Sequence, residues 1–237
     1  MKRILYKIYQ CLIALPIILV FTIITCVSII VLFPFANSPI SYFIPRLWAR
    51  SICALLFIKV EINGIENAKK NTSCIYACNH QSMLDILLLH GWLPCVFKWV
   101  MKSDLRKIPL LGAACRAAGH IFIDRGSLKS KKHMLEATRE KLTNGLSVAI
   151  FPEGTRTKDG SVGKFKRGAF TLATDLQLPI VPVSIKGAFE CMPRNKSRIT
   201  AGKIQVTFHP IIDTGNYNSE NYAELMNECK NAILSGM

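Results

Sequence analysis

The segment Asn79-His80-Gln81-Ser82-Met83-Leu84-Asp85 leaves a strand-like run and enters a helical one, placing an imidazole just before the helix and a carboxylate in its first turn. Two readings fit this spacing. Ser82 with Asp85 three residues on is a helix capping box, which needs no catalysis. The same geometry lets Asp85 reach back to His80, fix its tautomer and stabilise the imidazolium, which is the base-and-orienter half of a catalytic triad. The serine nucleophile in the G-x-S-x-G form is absent. A dyad without a protein nucleophile suits a reaction in which the substrate's own hydroxyl attacks an activated acyl group such as a thioester. A second string, Phe151-Pro152-Glu153-Gly154-Thr155-Arg156, follows the apolar run Ser147–Ile150. Its glycine permits close backbone approach to a ligand, and Arg156 offers a planar fork for phosphate or carboxylate. An ordinary strand-end turn with a surface Glu–Arg pair fits the same residues.

Lys and Arg outnumber Asp and Glu by 30 to 15, a formal charge of +15. Such a surface seeks polyanions: anionic lipid, phosphorylated substrates, an acidic partner or nucleic acid. No RNA- or DNA-binding motif accompanies the charge, so nucleic acid is not an expected partner. The nine cysteines are an odd number without a C-x-x-C pair, which reads as reduced thiols in a cytosolic compartment. Cys74, Cys78 and His80 lack the further ligands that zinc requires, so no metal is expected. His90, His120, His133 and His209 have no matched partners in sequence and read as structural or exposed. Lys102 reads as a surface lysine, and Lys129-Ser130-Lys131-Lys132 as a solvated helix face.

These residues are carried by an α/β pattern. From residue 61 onward, Val60–Asn63, Cys74–Ala77, Cys95–Val100, Ile121–Ile123, Ser147–Phe151, Ile180–Ile185 and Lys203–Phe208 have strand character. Ser82–His90, Leu110–Ala118, Leu128–Asn144, Gly168–Asp175 and Ser219–Leu234 have helical spacing. Strand and helix in alternation predict a single mixed-sheet α/β domain over residues 60–237.

Residues 1–59 form a separate region by composition. The first acidic residue is Glu61, and the chain is uncharged from Cys11 to Phe35, long enough as a helix to cross about 30 Å of hydrocarbon. Pro34 and Pro39 break it around Asn37-Ser38, and Ile40–Ile58 resumes as a second apolar helix with Arg46, Trp48 and Arg50 as snorkelling and interfacial types. The apolar run is too long for a cleaved signal peptide. The expectation is an N-terminal two-helix membrane motif held in the cytosolic leaflet among anionic lipids, with the catalytic domain on the cytosolic face, at the plasma membrane if the source is bacterial.

The two strings together, about seventy residues apart, resemble the glycerolipid acyltransferase family, in particular its 1-acylglycerol-3-phosphate (lysophosphatidic acid) acyltransferases. The family's NHxxxxD block is met by Asn79, His80 and Asp85. Its second block is met by Gly119-His120-Ile121-Phe122-Ile123-Asp124-Arg125, its FPEGTR block letter for letter at 151–156, and its last by Ile180-Val181-Pro182-Val183. Lys164-Phe165-Lys166-Arg167-Gly168 resembles the segment that follows FPEGTR. The resemblance implies transfer of a fatty acyl group, without a cofactor, from acyl-CoA or acyl carrier protein to the sn-2 hydroxyl of lysophosphatidic acid. The product is phosphatidic acid for phospholipid biosynthesis. Another acceptor, a lysophospholipid or a lyso-ornithine lipid, is the alternative. By the same resemblance His80 is the general base and Asp85 its partner. Arg125, Glu153, Gly154, Thr155 and Arg156 bind the acceptor, with Arg125 and Arg156 on its phosphate, and Pro182 lines the acyl side.

Overall fold

The structure, a computed structural model, describes residues 2–32, 39–68, 72–123, 135–136, 138–140, 146–194 and 199–237. Seven strands form one sheet: β1 (Ile58–Asn63), β2 (Ile75–Cys78), β3 (Phe97–Lys102), β4 (Ile121–Ile123), β5 (Ser147–Ile150), β6 (Ile180–Lys186) and β7 (Gly202–Phe208). Their spatial order is β1-β7-β6-β2-β5-β3-β4. Every neighbouring pair is parallel except β6 with β7. The α/β class and the mixed sheet expected from the sequence are therefore present. The parallel block β6-β2-β5-β3-β4 sends five strand ends to one edge, where ligands bind in open α/β sheets.

The central strands are buried along their whole length, as a sheet covered on both faces requires. Their period of two divides the core. Tyr76, Cys78, Ala149, Val181 and Val183 face one layer, and Ile75, Ala77, Val148, Ile150 and Ile180 the other. The first layer is covered by α3 (Pro39–Leu55) and α4 (Leu84–Trp92) through residues such as Ile52, Cys53, Leu84 and Leu88. The second is covered by α6 (Gly168–Leu176) and α8 (Tyr222–Ser235) through Phe170, Leu172, Leu225 and Ile233. Between β3 and β4 lies α5 (Leu111–Ala117), and a single turn, α7 (Ala188–Cys191), follows β6. The Leu128–Asn144 helix lies mostly outside the described residues, as do its Lys129–Lys132 run and His133.

The N-terminal region shows one of the two expected apolar helices as a candidate membrane span. One apolar helix runs from Arg3 to Val31, comprising α1 (Lys2–Tyr9), a π-helical turn at Gln10–Ala14 and α2 (Leu15–Val31). Among the described residues it is the one helix long and apolar enough to cross a membrane. The expected second membrane helix is α3, whose inner side joins the core: Ala49, Ile52 and Cys53, with Leu56 just after it, are buried with the strands, while Phe43 and Leu47 are exposed. Arg46 and Arg50 each reach a backbone carbonyl at the end of α4. Arg46 Nη2 donates to the Leu93 carbonyl at 2.6 Å and Arg50 Nε to that of Gly91 at 2.8 Å. Two cations thus satisfy the orphan carbonyls and the negative dipole end of α4. Across the composition break at residue 59, α3 packs against β1 and α4. Residues 33–38, which hold the expected Asn37-Ser38 turn, lie outside the described residues.

Candidate active site

β2 delivers Asn79 and His80 to the ligand-binding edge. Asn79 is fully buried and clamps β6: its Nδ2 donates to the Ile185 carbonyl at 2.9 Å, and its Oδ1 accepts from the Ile185 amide at 2.7 Å. That clamp explains the asparagine of the first block, to which residue chemistry alone gave no role. Beyond it the chain turns into α4, and Asp85 Oδ2 accepts from His80 Nδ1 at 2.8 Å, from the Gln81 amide at 2.7 Å and from the Ser82 amide at 2.8 Å. The Ser82 hydroxyl accepts from the Leu84 amide. Carboxylate capping and imidazole orientation are therefore properties of one atom, and the two readings of the string hold together. Because Asp85 accepts, His80 carries its proton on Nδ1 and presents the lone pair of Nε2. Burial raises the Asp85 carboxyl above its usual range, while the His80 ring and the two amides act in the opposite direction.

The second string holds the histidine from behind. Phe151 stacks on the His80 ring with centroids 3.9 Å apart and 9° between planes. The His80 amide donates to Glu153 Oε1 at 2.7 Å, and the His80 carbonyl accepts from the Thr157 amide at 2.9 Å. Glu153 Oε2 accepts from the Gly163 amide at 2.8 Å. Glu153 is only 7% exposed, and both oxygens are engaged by backbone. Its carboxylate ties the His80 backbone to that of Gly163 and so braces the loop. Burial raises its carboxyl too.

Gly154 adopts φ of +71°, a region that side chains rarely enter, and a Cβ there would lie 3.1 Å from Lys166 Nζ. Thr155 is exposed and Arg156 half-buried at the same edge, where the Arg156 carbonyl accepts from Arg194 Nη1. Pro182 is elsewhere: it is buried in mid-strand opposite Ala77, its carbonyl accepting from the His209 amide, and it does not line the cavity. Arg125 falls outside the described residues. His90 accepts from Trp99 Nε1 at 2.9 Å, and His209 pairs with Ser184, so both are structural as expected. All nine cysteines are free, and Lys102 is exposed and paired with Asp104. The ring of His80 hydrogen-bonds to Asp85 and to no serine or cysteine among the described residues.

His80, Phe151 and Gly154 border a largely apolar cavity of about 310 Å³. Its other walls come from β3 and α5, from Ile86 and His90 of α4, from His120, from Tyr42 and Trp48 of α3, and from Thr22, Thr25, Cys26 and Ile29 of the N-terminal helix. Trp48 Nε1 donates to Thr22 Oγ1 at 2.9 Å, locking the two helices together. Nothing in the local pattern of the sequence marked these residues as cavity wall, because they meet only through the fold.

A half-buried, oriented imidazole on an α/β sheet edge, opening on a largely apolar cavity and hydrogen-bonded to no serine or cysteine among the described residues, defines an enzyme site suited to moving an acyl group directly between two substrates. The sequence profile of the Acyltransferase family matches residues 59–186. The chain belongs to the acyltransferase family. It is 36% identical over 224 residues to the chloroplastic 1-acyl-sn-glycerol-3-phosphate acyltransferase BAT2 of Brassica napus, covering 93% of this chain and 63% of that protein. It is also 36% identical over 198 residues to the chloroplastic 1-acyl-sn-glycerol-3-phosphate acyltransferase LPAT1 of Arabidopsis thaliana, covering 83% of this chain and 54% of that one. The chain thus spans less than two thirds of either relative. Among solved structures, the 1-acyl-sn-glycerophosphate (LPA) acyltransferase PlsC of Thermotoga maritima superposes with a TM-score of 0.77 at 27% identity, covering 100% of this chain and 96% of that one.

Proposed function

We propose that this chain is a membrane-associated 1-acylglycerol-3-phosphate acyltransferase, with acyl-CoA or acyl carrier protein as donor and phosphatidic acid as product. The observation that carries the reading is the His80–Asp85 pair facing an apolar cavity, with no serine or cysteine hydrogen-bonded to the ring among the described residues. His80 Nε2 takes the proton of the sn-2 hydroxyl as its oxygen attacks the thioester carbonyl. The C–O bond forms, the tetrahedral intermediate collapses, the C–S bond breaks, and the proton passes from the imidazolium to the leaving thiolate. Asp85 keeps Nδ1 protonated and stabilises the transient imidazolium. The apolar cavity is suited to an acyl chain. Arg125 and Arg156 are proposed to meet the acceptor phosphate, with Gly154 and Thr155 providing close backbone approach; Glu153 acts through its hold on His80.

The N-terminal helix supports an anchor lying along the membrane surface. Tyr6 and Tyr9 hydroxyls donate to the Leu56 and Leu55 carbonyls, Gln10 Nε2 donates to that of Ile199, and Ile29 still lines the cavity. From residue 6 to 29 the helix stays against the domain, roughly 35 Å at 1.5 Å per residue, while Leu12, Leu19, Val20 and Val31 are exposed. Nine free thiols suit a domain on the cytosolic face.

The experiment is acyl transfer by purified protein in mixed micelles, with a panel of lyso-acceptors and with acyl-CoA set against acyl carrier protein. Lysophosphatidic acid is expected to be the preferred acceptor, and His80→Ala to lose on the order of 10²–10⁴ in rate or more while staying membrane-bound. Near-normal turnover by folded His80→Ala removes the mechanism; preference for a phosphate-free acceptor removes the substrate assignment.

A further inference from the structure

We propose that the segment Ser103–Leu111 is a docking rim of the active site, and that its partner is the surface of an anionic lipid bilayer. β3 ends at Lys102, at the same sheet edge as the ends of β2 and β5, so this segment rises beside His80. Leu105 and Leu111 border the same cavity. Yet the segment turns Ile108 and Leu111 outward, 42% and 39% exposed.

The backbone holds them there against resistance. Leu110 adopts φ of 60° and ψ of −55°, and the Leu111 amide donates to the Pro109 carbonyl at 2.6 Å. This is a γ-turn with positive φ, the rarer and more strained of the two γ-turn forms. It is made by a leucine, not a glycine. Gly112 then lies so close to the preceding turn that a Cβ would fall 2.3 Å from the Arg106 carbonyl oxygen. A rigid, strained loop that displays branched apolar side chains gains nothing from water; it gains when those side chains enter hydrocarbon.

Charge and continuity select the partner. Lys102, Arg106 and Lys107 outnumber Asp104, the one acid of the segment, and Arg106 lies over the Phe122 ring 4.6 Å from its centroid. α5 begins at Leu111, and the N-terminal helix, with its exposed Leu19, Val20, Ile23 and Val27, packs against α5. The rim therefore continues an apolar surface fringed with cations, which fits an interfacial element on anionic lipid. An acidic carrier protein would satisfy the cations without using Ile108. The inference rests on the reading that the chain works at a bilayer. It adds that the mouth itself, and not the N-terminal helix alone, touches lipid.

The test uses the full chain with Cys11, the exposed thiol, replaced by Ser. An environment-sensitive nitrobenzoxadiazole probe is attached at Ile108→Cys or, as the control, at Ile65→Cys. Ile65 is also 42% exposed but follows β1, which runs opposite to β3 and ends at the far edge. The Cys11→Ser parent supplies the labelling background. On phosphatidylglycerol–phosphatidylethanolamine vesicles, the probe at 108 is expected to shift to the blue, to be quenched by doxyl lipid and to be shielded from iodide; the probe at 65 stays open to iodide. Equal iodide access at both sites overturns the proposal, as does a shift at 108 that requires acyl carrier protein. As a second measurement, Ile108→Asp is expected to lower the ratio of turnover on vesicle-embedded acceptor to turnover on micellar acceptor by at least about tenfold. An unchanged ratio overturns it. The probe readout needs no catalysis, so failure of the acyltransferase reading stays separate from failure of the docking rim.

Discussion

Replacing Glu153 by Gln separates bracing from substrate binding. The side chain keeps its size, but one of its two acceptor oxygens becomes an NH₂ group facing a backbone donor, either the His80 amide at 2.7 Å or that of Gly163 at 2.8 Å. Losing a hydrogen bond to a charged acceptor costs about 1.5–3 kcal/mol, and the orphaned amide is left in a site where Glu153 is only 7% exposed. With the NH₂ toward His80, the loop relieves the clash by moving away from His80, whose ring stacks on Phe151 of the same loop. A displacement near 1 Å at a general base is worth about 10²-fold in rate. Glu153→Gln is therefore expected to lower kcat about 10- to 100-fold, with the KM for lysophosphatidic acid changed less than about threefold. Initial rates across an acceptor titration give both constants, and thermal unfolding checks that the fold survives. Gly163→Ala acts on the same contact from the other side, since its Cβ would lie 2.8 Å from Glu153 Oε2, and should shift kcat in the same direction. A large rise in acceptor KM with kcat preserved would show that Glu153 touches the acceptor and refute the bracing role.

Arg156→Ala should raise the KM for lysophosphatidic acid about 10- to 100-fold with donor KM little changed, and Arg156→Lys should recover only part of it because the planar fork is lost; a rise in donor KM alone would reassign the residue. Cys26→Phe should narrow the cavity and penalise the longest acyl donors while short-chain donors keep their rate, checked by a donor chain-length series. His90 is held neutral by burial, which lowers its pKa from 6.5 to about 4, so the fold binds fewer protons than the unfolded chain between those values. Its contribution is complete above pH 6.5 and is lost as pH falls toward 4, by up to about 3 kcal/mol. His90→Gln, which retains an acceptor for Trp99, should flatten that loss in denaturant titrations at pH 7 and pH 4.5; an equal loss in both proteins would remove His90 as its source.

The strands were legible because a sheet buried on both faces must be built from continuous apolar runs. Ile75–Cys78, Ser147–Ile150 and Ile180–Lys186 stand out from the polar turns around them for that reason. Which neighbours in the mixed sheet run antiparallel was not legible, since β6 and β7 carry the same pattern in either direction. The dyad was legible because His80 and Asp85 are neighbours in the chain; its support was not. The Glu153 carboxylate meets the His80 amide across 73 positions, and only that distance separates a ligand-binding glutamate from a bracing one. The core-packed side of α3 was not legible for a deeper reason. Lipid and protein core are both apolar, so composition cannot say which will cover a helix. Arg46 and Arg50 look like headgroup anchors until the fold places the α4 carbonyls beside them.

The same ambiguity explains why the N-terminal helix cannot be treated as a detachable anchor. Its exposed side carries Leu12, Leu19 and Val20, while its inner side presents Thr22, Thr25, Cys26 and Ile29 to the cavity that His80 borders. Thr22 is tied to Trp48, and Tyr6 and Tyr9 close the last turn of α3. α3 in turn holds the end of α4 through Arg46 and Arg50, and α4 carries Asp85. A continuous set of hydrogen bonds and packed faces thus runs from the exposed apolar side of the N-terminal helix to the carboxylate that orients the base. A helix that only tethered the domain would leave its inner face free to vary. Here that face is cavity wall, so the seating of the helix and the shape of the site are one packing problem, solved by the same side chains.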